Sequence, residues 1–295
     1  MRYIERQLED VRRMADQTNA TSTSGISTEE LLLYANNAQW ELQNELLKQD
    51  PNIKYFDQQK SISAVSGTRS YSVDSTFSLD GSVRLVEYSS DGAADGYYDL
   101  DPQILKNLSL SSGKPCEYSR IGKQVTLGPI PDSSAGIIRL TGPRRLPRID
   151  WRRGKIASST SSTITLANDS VLGDAESINA TALGNADYVC VVDKDGTIEQ
   201  SGIVVTGYDS GTRVISSSST VSVTANNYVV IGKDSTTHFQ LPEEVEGQLL
   251  SYITWKVQHR EESVASADTQ QELQLLAQSI LGRFFSYDLD IDLWQ

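Results

Sequence analysis

The hydrophobic period of this chain switches twice, from helical to alternating and back, so its β structure must be enclosed between helices at the two ends. Ile4, Leu8 and Val11 recur at helical spacing among charged residues and predict a short amphipathic helix over residues 3–16. The stretch 18–25 breaks it. Ser27 followed by Glu30 has capping-box spacing, and Leu31, Tyr34 or Ala35, Ala38, Leu42 and Leu46 carry one apolar stripe to the stop at Asp50-Pro51. From Lys60 the period becomes two. Segments 61–65, 70–73, 83–88, 117–121, 124–127 and 136–140 read as strands between Gly and Asp turns, and Pro129 and Pro131 bracket a turn because proline is excluded from central strands. Residues 60–145 are thus expected to be mostly antiparallel sheet, with a helical turn near Pro102 to Leu108.

Between Trp151 and Thr237 the chemistry shifts to Ser, Thr, Gly, Val and Ile, with no helical period. A weak repeat runs through it. Gly154-Lys155-Ile156, Thr163-Ile164-Thr165-Leu166 and 187–192 are echoed by Gly202-Ile203-Val204, Arg213-Val214-Ile215-Ser216 and 227–231. Two three-stranded halves closing on each other would protect their edges, so a six-stranded barrel or sandwich is expected. Helix returns at Leu241-Pro242-Glu243-Glu244, with proline placed at the first helical position. Val245, Leu249, Ile253 and Val257 form one stripe, and Leu273, Leu276, Ile280 and Phe284 a second, capped by Asp268. The expected fold is α+β: a helical base domain with antiparallel β hairpins, made of residues 1–150 and 238–286, bearing an inserted all-β, barrel-like domain at 151–237 and an extended C-terminal arm at 287–295.

Composition narrows function. The chain has 26 Lys and Arg against 39 Asp and Glu, a formal charge of −13, which opposes general nucleic-acid binding because neutralising phosphates takes clustered cations. Two histidines and two cysteines leave few tools for catalysis. No G-x-S-x-G turn, P-loop or C-x-x-C pair occurs, so neither catalysis nor a cofactor nor a metal is expected. His259 reads as part of a solvated helix face, and Cys116 and Cys190 as isolated thiols in packing roles. Asp193-Lys194-Asp195-Gly196 begins like a calcium loop, but position 204 is Val where the closing glutamate belongs, so a hairpin turn is the better reading. No segment has signal-peptide character or reaches membrane-spanning length, so a soluble chain made in a cytoplasm is expected.

Two features point to protein partners. Arg144, Arg145, Arg148, Arg152, Arg153 and Lys155 crowd into twelve residues, and arginine's planar fork favours carboxylates, so these arginines are candidates for contact with an acidic surface such as the next copy of the chain. The alternative is a solvated or internally paired linker. Residues 286–295 alternate acid and apolar side chains with period two, a strand without a partner, in which Leu289, Ile291, Leu293 and Trp294 could dock on another chain by strand addition. Folding back on its own base is the alternative there.

The helix Glu29-Glu30-Leu31-Leu32-Leu33-Tyr34-Ala35-Asn36-Asn37-Ala38-Gln39-Trp40-Glu41-Leu42 resembles the opening helix of head-to-tail adaptor, or connector, proteins of tailed bacteriophages. Gly113-Lys114-Pro115-Cys116-Glu117-Tyr118, followed by Val125-Thr126-Leu127-Gly128-Pro129-Ile130-Pro131-Asp132, looks like a run found in such adaptors, and the closing helices are similar too. The resemblance covers residues 1–150 and 238–286; the 151–237 segment departs from the smallest members. It implies a virion protein of the neck, synthesised in the host cytoplasm. The chain would form a ring, commonly dodecameric, whose partners are other copies of itself, the portal protein, and a tail tube, nozzle or fibre protein. DNA would pass through the channel during genome ejection without specific binding, no membrane would be involved, and the C-terminal arm would reach the portal. A tail or baseplate fibre-attachment protein, whose β domain binds a partner or glycan, is the other reading.

Overall fold

The computed structural model describes residues 3–15, 26–73, 77, 83–93, 96–167, 180–259 and 266–282. The chain divides into two compact units: Met1–Gln49 with Pro147–Gln295, and Asp50–Leu146. The protein is α+β and contains a closed six-stranded antiparallel barrel.

In the first unit, α1 (Ile4–Met14) buries Ile4, Leu8 and Val11, the three residues of its expected stripe. In α2 (Thr28–Gln49) the Ser27 hydroxyl accepts the Glu30 N–H at 3.1 Å, satisfying one of the helix's orphan donors. Its core face is Leu31, Ala35, Ala38, Leu42 and Leu46. The helical hairpin is α3 (Glu243–Gln258) and α4 (Ser266–Ile280). Pro242 is the N-cap of α3 and not its first helical residue, because its ψ of 142° is extended, although its carbonyl accepts the Val245 N–H at 2.8 Å. Asp268 lies within the first turn of α4, two residues past its start, so it complements the helix dipole instead of capping. Phe284 and residues 286–295 lie outside the described residues.

The barrel is built from β12 (Gly154–Ser159), β13 (Thr163–Leu166), β14 (Tyr188–Val192), β15 (Ile198–Asp209), β16 (Val214–Ser217) and β17 (Tyr228–Ile231), closed in the order β12-β13-β16-β15-β14-β17. Exchanging the two halves maps its ladders onto one another. The pairs Ile156↔Leu166, Ser158↔Thr165 and Ser159↔Ile164 correspond to Val205↔Ser217, Gly207↔Ser216 and Tyr208↔Ile215, with an irregularity at the same place in each hairpin. Gly154↔Val229 and Lys155↔Tyr228 correspond to Ile203↔Val189 and Val204↔Tyr188. Ile164↔Ile215 and Cys190↔Val230 sit on the pseudo-two-fold axis.

The sequence echo aligned Gly154 with Gly202 and Thr163 with Arg213. The ladders correct this by one residue, pairing Gly154 with Ile203 and Thr163 with Val214 as equivalents. A one-residue slip would turn every side chain to the opposite face, and the interior set Ile156, Ile164, Val189, Val191, Ile203, Ile215 and Val229 fixes the phase.

The second unit holds two four-stranded sheets. One is ordered β1 (Asp57–Ser63), β10 (Ile137–Pro143), β3 (Leu85–Ser89), β4 (Tyr98–Asp99); the other β2 (Ser70–Ser72), β8 (Gln124–Gly128), β7 (Glu117–Ile121), β5 (Asp101–Pro102). Val86, Tyr88, Ile138 and Leu140 from one sheet and Tyr71, Val125 and Leu127 from the other share a single core. The pairing is antiparallel apart from short parallel contacts of β5 with β7 and of β6 (Ser112–Gly113) with β9 (Ile130–Pro131). The helical turn expected near Pro102 is a single 3-10 turn, Leu105–Asn107.

The boundaries of these units differ from those expected. The helices group with the barrel, and residues 50–146 stand as the inserted body, because the chain re-entering at Pro147 is tied to α1 and α2. Asn36 donates to the Ile149 carbonyl at 2.9 Å and accepts its N–H at 2.7 Å, Gln39 donates to the Pro147 carbonyl at 2.9 Å, and the Ile4 N–H reaches the Thr237 carbonyl at 3.0 Å. Here β11 (Arg148–Ile149) runs parallel to β18 (Ser235–Thr236), placing these groups beside the barrel.

Candidate assembly surface

The arginine cluster does not form one surface. Arg152 is 2% and Arg153 6% exposed, and both are paired within the chain, so these two are removed from the candidate contact set. Arg152 donates to Glu5 Oε1 from its backbone N–H at 2.9 Å and from Nε at 3.0 Å. Its guanidinium lies 3.6 Å from the centroid of the Tyr3 ring and 5.2 Å from that of Tyr228, and Tyr3 meets Tyr228 edge-on. Arg153 forks onto Asp150, whose Oδ2 also accepts the Ile231 N–H at 2.7 Å. The internally paired reading therefore holds for these two: burying a guanidinium requires a partner carboxylate, and Glu5 lies 147 residues away in sequence. Arg144 is half-buried, with its backbone N–H on the Phe56 carbonyl. Arg145 and Arg148 are exposed, on either side of the boundary between the units. The arm residues Leu289, Ile291, Leu293 and Trp294 lie outside the described residues.

The other residues singled out take structural places. Asp193 Oδ1 accepts the N–H groups of Asp195 and Thr197 in the turn from β14 to β15, which agrees with the hairpin reading. Gly196 there has φ +79°, and a Cβ on it would come within 2.4 Å of the His238 ring. Burial holds His238 down at about 4, and its Nδ1 lies 2.9 Å from the Thr237 hydroxyl. His259 ends α3, half-buried against Trp255, so it is less solvated than expected. Cys190 is buried with its thiol on the Gly232 carbonyl, and burial pushes its pKa up. Cys116 is exposed, so a packing role fits Cys190 alone. Among the described residues no group of three or more His, Cys, Asp and Glu is placed to hold a metal ion, and no helix is long and apolar enough to cross a membrane.

Where α1 meets α3, Gln7 donates to Glu246 Oε2 at 2.8 Å, both side chains being buried. Burial, reinforced by Glu243, pushes the Glu246 carboxyl up to about 7 despite that hydrogen bond. The folded state thus binds more protons than the unfolded chain between about 4.5 and 7, and this carboxyl costs stability as pH rises through that window. His238 has the opposite sign: its depressed folded pKa costs stability as pH falls from 6.5 to about 4. The two offset each other. Glu246→Gln is expected to unmask the histidine limb in urea titrations below pH 6.5, and to raise stability above pH 7 by about 1–3 kcal/mol. An unchanged pH profile would refute this.

Sequence reading missed the most distinctive surface. Residues 101–107 are all exposed, and Ile104 (64% exposed), Leu105 (39%) and Leu110 (70%) stand out around the buried anchor Leu108. The adaptor-like run holds this loop at both ends. Gln103 N–H donates to the Tyr118 carbonyl at 2.7 Å, Asp101 N–H to Cys116 at 2.9 Å, and Ile130 N–H to Ser111 at 2.8 Å; Tyr98 Oη donates to the Pro115 carbonyl at 2.6 Å. Ile104, Leu105 and Leu108 have the helical spacing that predicts the turn, but spacing does not record that Leu108 alone is buried while Ile104, Leu105 and Leu110 stay exposed. Residues 103–116 carry Lys106 and Lys114 and no acid. Charge is segregated as well. Residues 50–146 hold 11 basic and 11 acidic side chains, so the remaining 15 basic and 28 acidic ones give the helix-and-barrel unit the whole charge of −13.

Fold and surface together define an α+β protein with a duplicated β-barrel and a separate β unit that presents an apolar, basic loop. No protein-family model matches the chain, and no curated protein matches it.

Proposed function

We propose that this chain is a structural head-to-tail adaptor of a tailed bacteriophage, assembling as a ring between the portal and the tail. The observation that carries the reading is the adaptor-like run 113–118 and 125–132, whose residues form β6 to β9 and fasten an exposed apolar loop. An exposed apolar patch held by ordered backbone is the kind of surface that binds other proteins. The acidic balance supports the same reading, since a channel lined with carboxylates releases DNA instead of retaining it. Mechanism on this reading is interface geometry: a heterologous contact repeated by rotation closes a ring, and the arm 287–295 adds avidity by engaging the portal at many equivalent points.

The test is negative-stain imaging and pull-down with the portal of the same particle, using the full chain and a version ending at Phe285. Rings on the portal with the full chain, and loss of most binding on truncation, are expected. No association by either version overturns the adaptor reading and favours attachment of a fibre.

A further inference from the structure

We propose that residues 104–110 are the projecting half of a head-to-tail contact between copies of this chain, seated on the acidic helix-and-barrel unit of the neighbouring copy. The inference rests on the ring reading above and says which surface closes the ring.

Three observations carry it. The loop exposes Ile104, Leu105 and Leu110 while its backbone is fixed by Leu108, by the 3-10 turn and by hydrogen bonds to Cys116, Tyr118 and Ile130, so docking would cost little ordering entropy. Lys106 lies within the apolar segment and Lys114 just after it, both exposed, while the acids Asp101 and Glu117 flank the loop, Glu117 Oε2 accepting the Ser109 N–H at 3.5 Å. The third is the charge division itself. A unit with no net charge and a basic, apolar loop is attracted to a unit of −13, whereas two helix-and-barrel units repel each other. That asymmetry disfavours contact between two like units and favours the loop of one copy on the helix-and-barrel unit of another, a contact that closes a ring when it is repeated by rotation. Exposed Leu275 on α4, beside Glu272, and exposed Leu33 on α2, beside Glu29, are the apolar-and-acidic surfaces such a loop would meet.

Mixed ¹⁴N and ¹⁵N preparations of the full chain, concentrated together and treated with a zero-length amine-to-carboxylate cross-linker, test the contact by mass spectrometry. Isotopically mixed peptides joining Lys106 or Lys114 to an acid of residues 1–49 or 147–282 are expected. In sedimentation equilibrium, the triple variant I104S/L105S/L110S should self-associate at least about tenfold more weakly and the association should weaken with salt. The exposed positions allow these changes without loss of the core, and an unchanged unfolding curve checks it. Mixed peptides that bypass the loop, with undiminished association of the variant, would overturn the loop contact and leave the ring reading standing. Absence of any mixed peptide overturns the self-contact, and portal-bound rings seen by imaging would then show that the ring reading survives without it.

Discussion

Replacing Arg152 with alanine is expected to destabilise the protein by about 3–5 kcal/mol, the scale for removing one partner of a buried ion pair. The loss has two parts. Glu5, itself buried, keeps a carboxylate whose Oε1 accepted both donors of Arg152, and the tyrosines at 3 and 228 lose the guanidinium that lies over their rings. A double change, Glu5→Gln with Arg152→Met, should cost far less, because no uncompensated charge remains and the methionine stem refills part of the space. Chemical denaturation of the two singles and the double checks this. Equal costs for R152A and the double would mean that packing, and not the stranded carboxylate, sets the loss. The location gives the pair its weight: it fastens α1 to the entrance of the barrel, where Ile4 also bonds to Thr237.

The second large effect lies inside the barrel. Its two halves fill equivalent places with opposite sizes: Gly154 faces Leu166 in one hairpin, while Ile203 and Ser217 occupy the corresponding positions in the other. A Cβ at position 154 would come within 2.7 Å of Leu166 Cδ1. Gly154→Ile should therefore overpack the core at a cost of about 1–3 kcal/mol, and Leu166→Ala should leave a cavity costing about 2–4 kcal/mol. Combined, they recreate the large-for-small exchange of the other half, and the double variant should be more stable than the sum of the singles by about 2 kcal/mol or more. Strict additivity in urea denaturation would show that the two side chains do not share one space and that the size exchange is incidental.

Local rules made parts of this fold legible. Stripes at 3.6 spacing placed the four α-helices of the described residues within a few residues, because a helix that buries one face must repeat its apolar residues with that period. The Ser27 cap followed from the same logic, since an orphan N–H at a helix start needs a short polar acceptor. The barrel's duplicated plan was visible as an echo of strands, but its register was off by one, because small residues such as Gly154 and Gly202 say little about which face they occupy. The candidate surface was less legible. Arg152 and Arg153 look on paper like their neighbours Arg145 and Arg148, and burial against the distant Glu5 and the adjacent Asp150 sets the first two apart from the exposed pair.

What the sequence by itself determined was the order and type of the elements: helices at the ends, strands between, and a barrel made of two similar halves. Those features depend on spacing along the chain, and spacing is written in the sequence. What only the tertiary structure decided was which of these elements belong together. The grouping of the helices with the barrel, the burial of Arg152, and the exposure of Ile104, Leu105 and Leu110 all depend on contacts between residues far apart in the chain. Burial is a property of what surrounds a side chain, and no local pattern records which distant backbone will return to cover it.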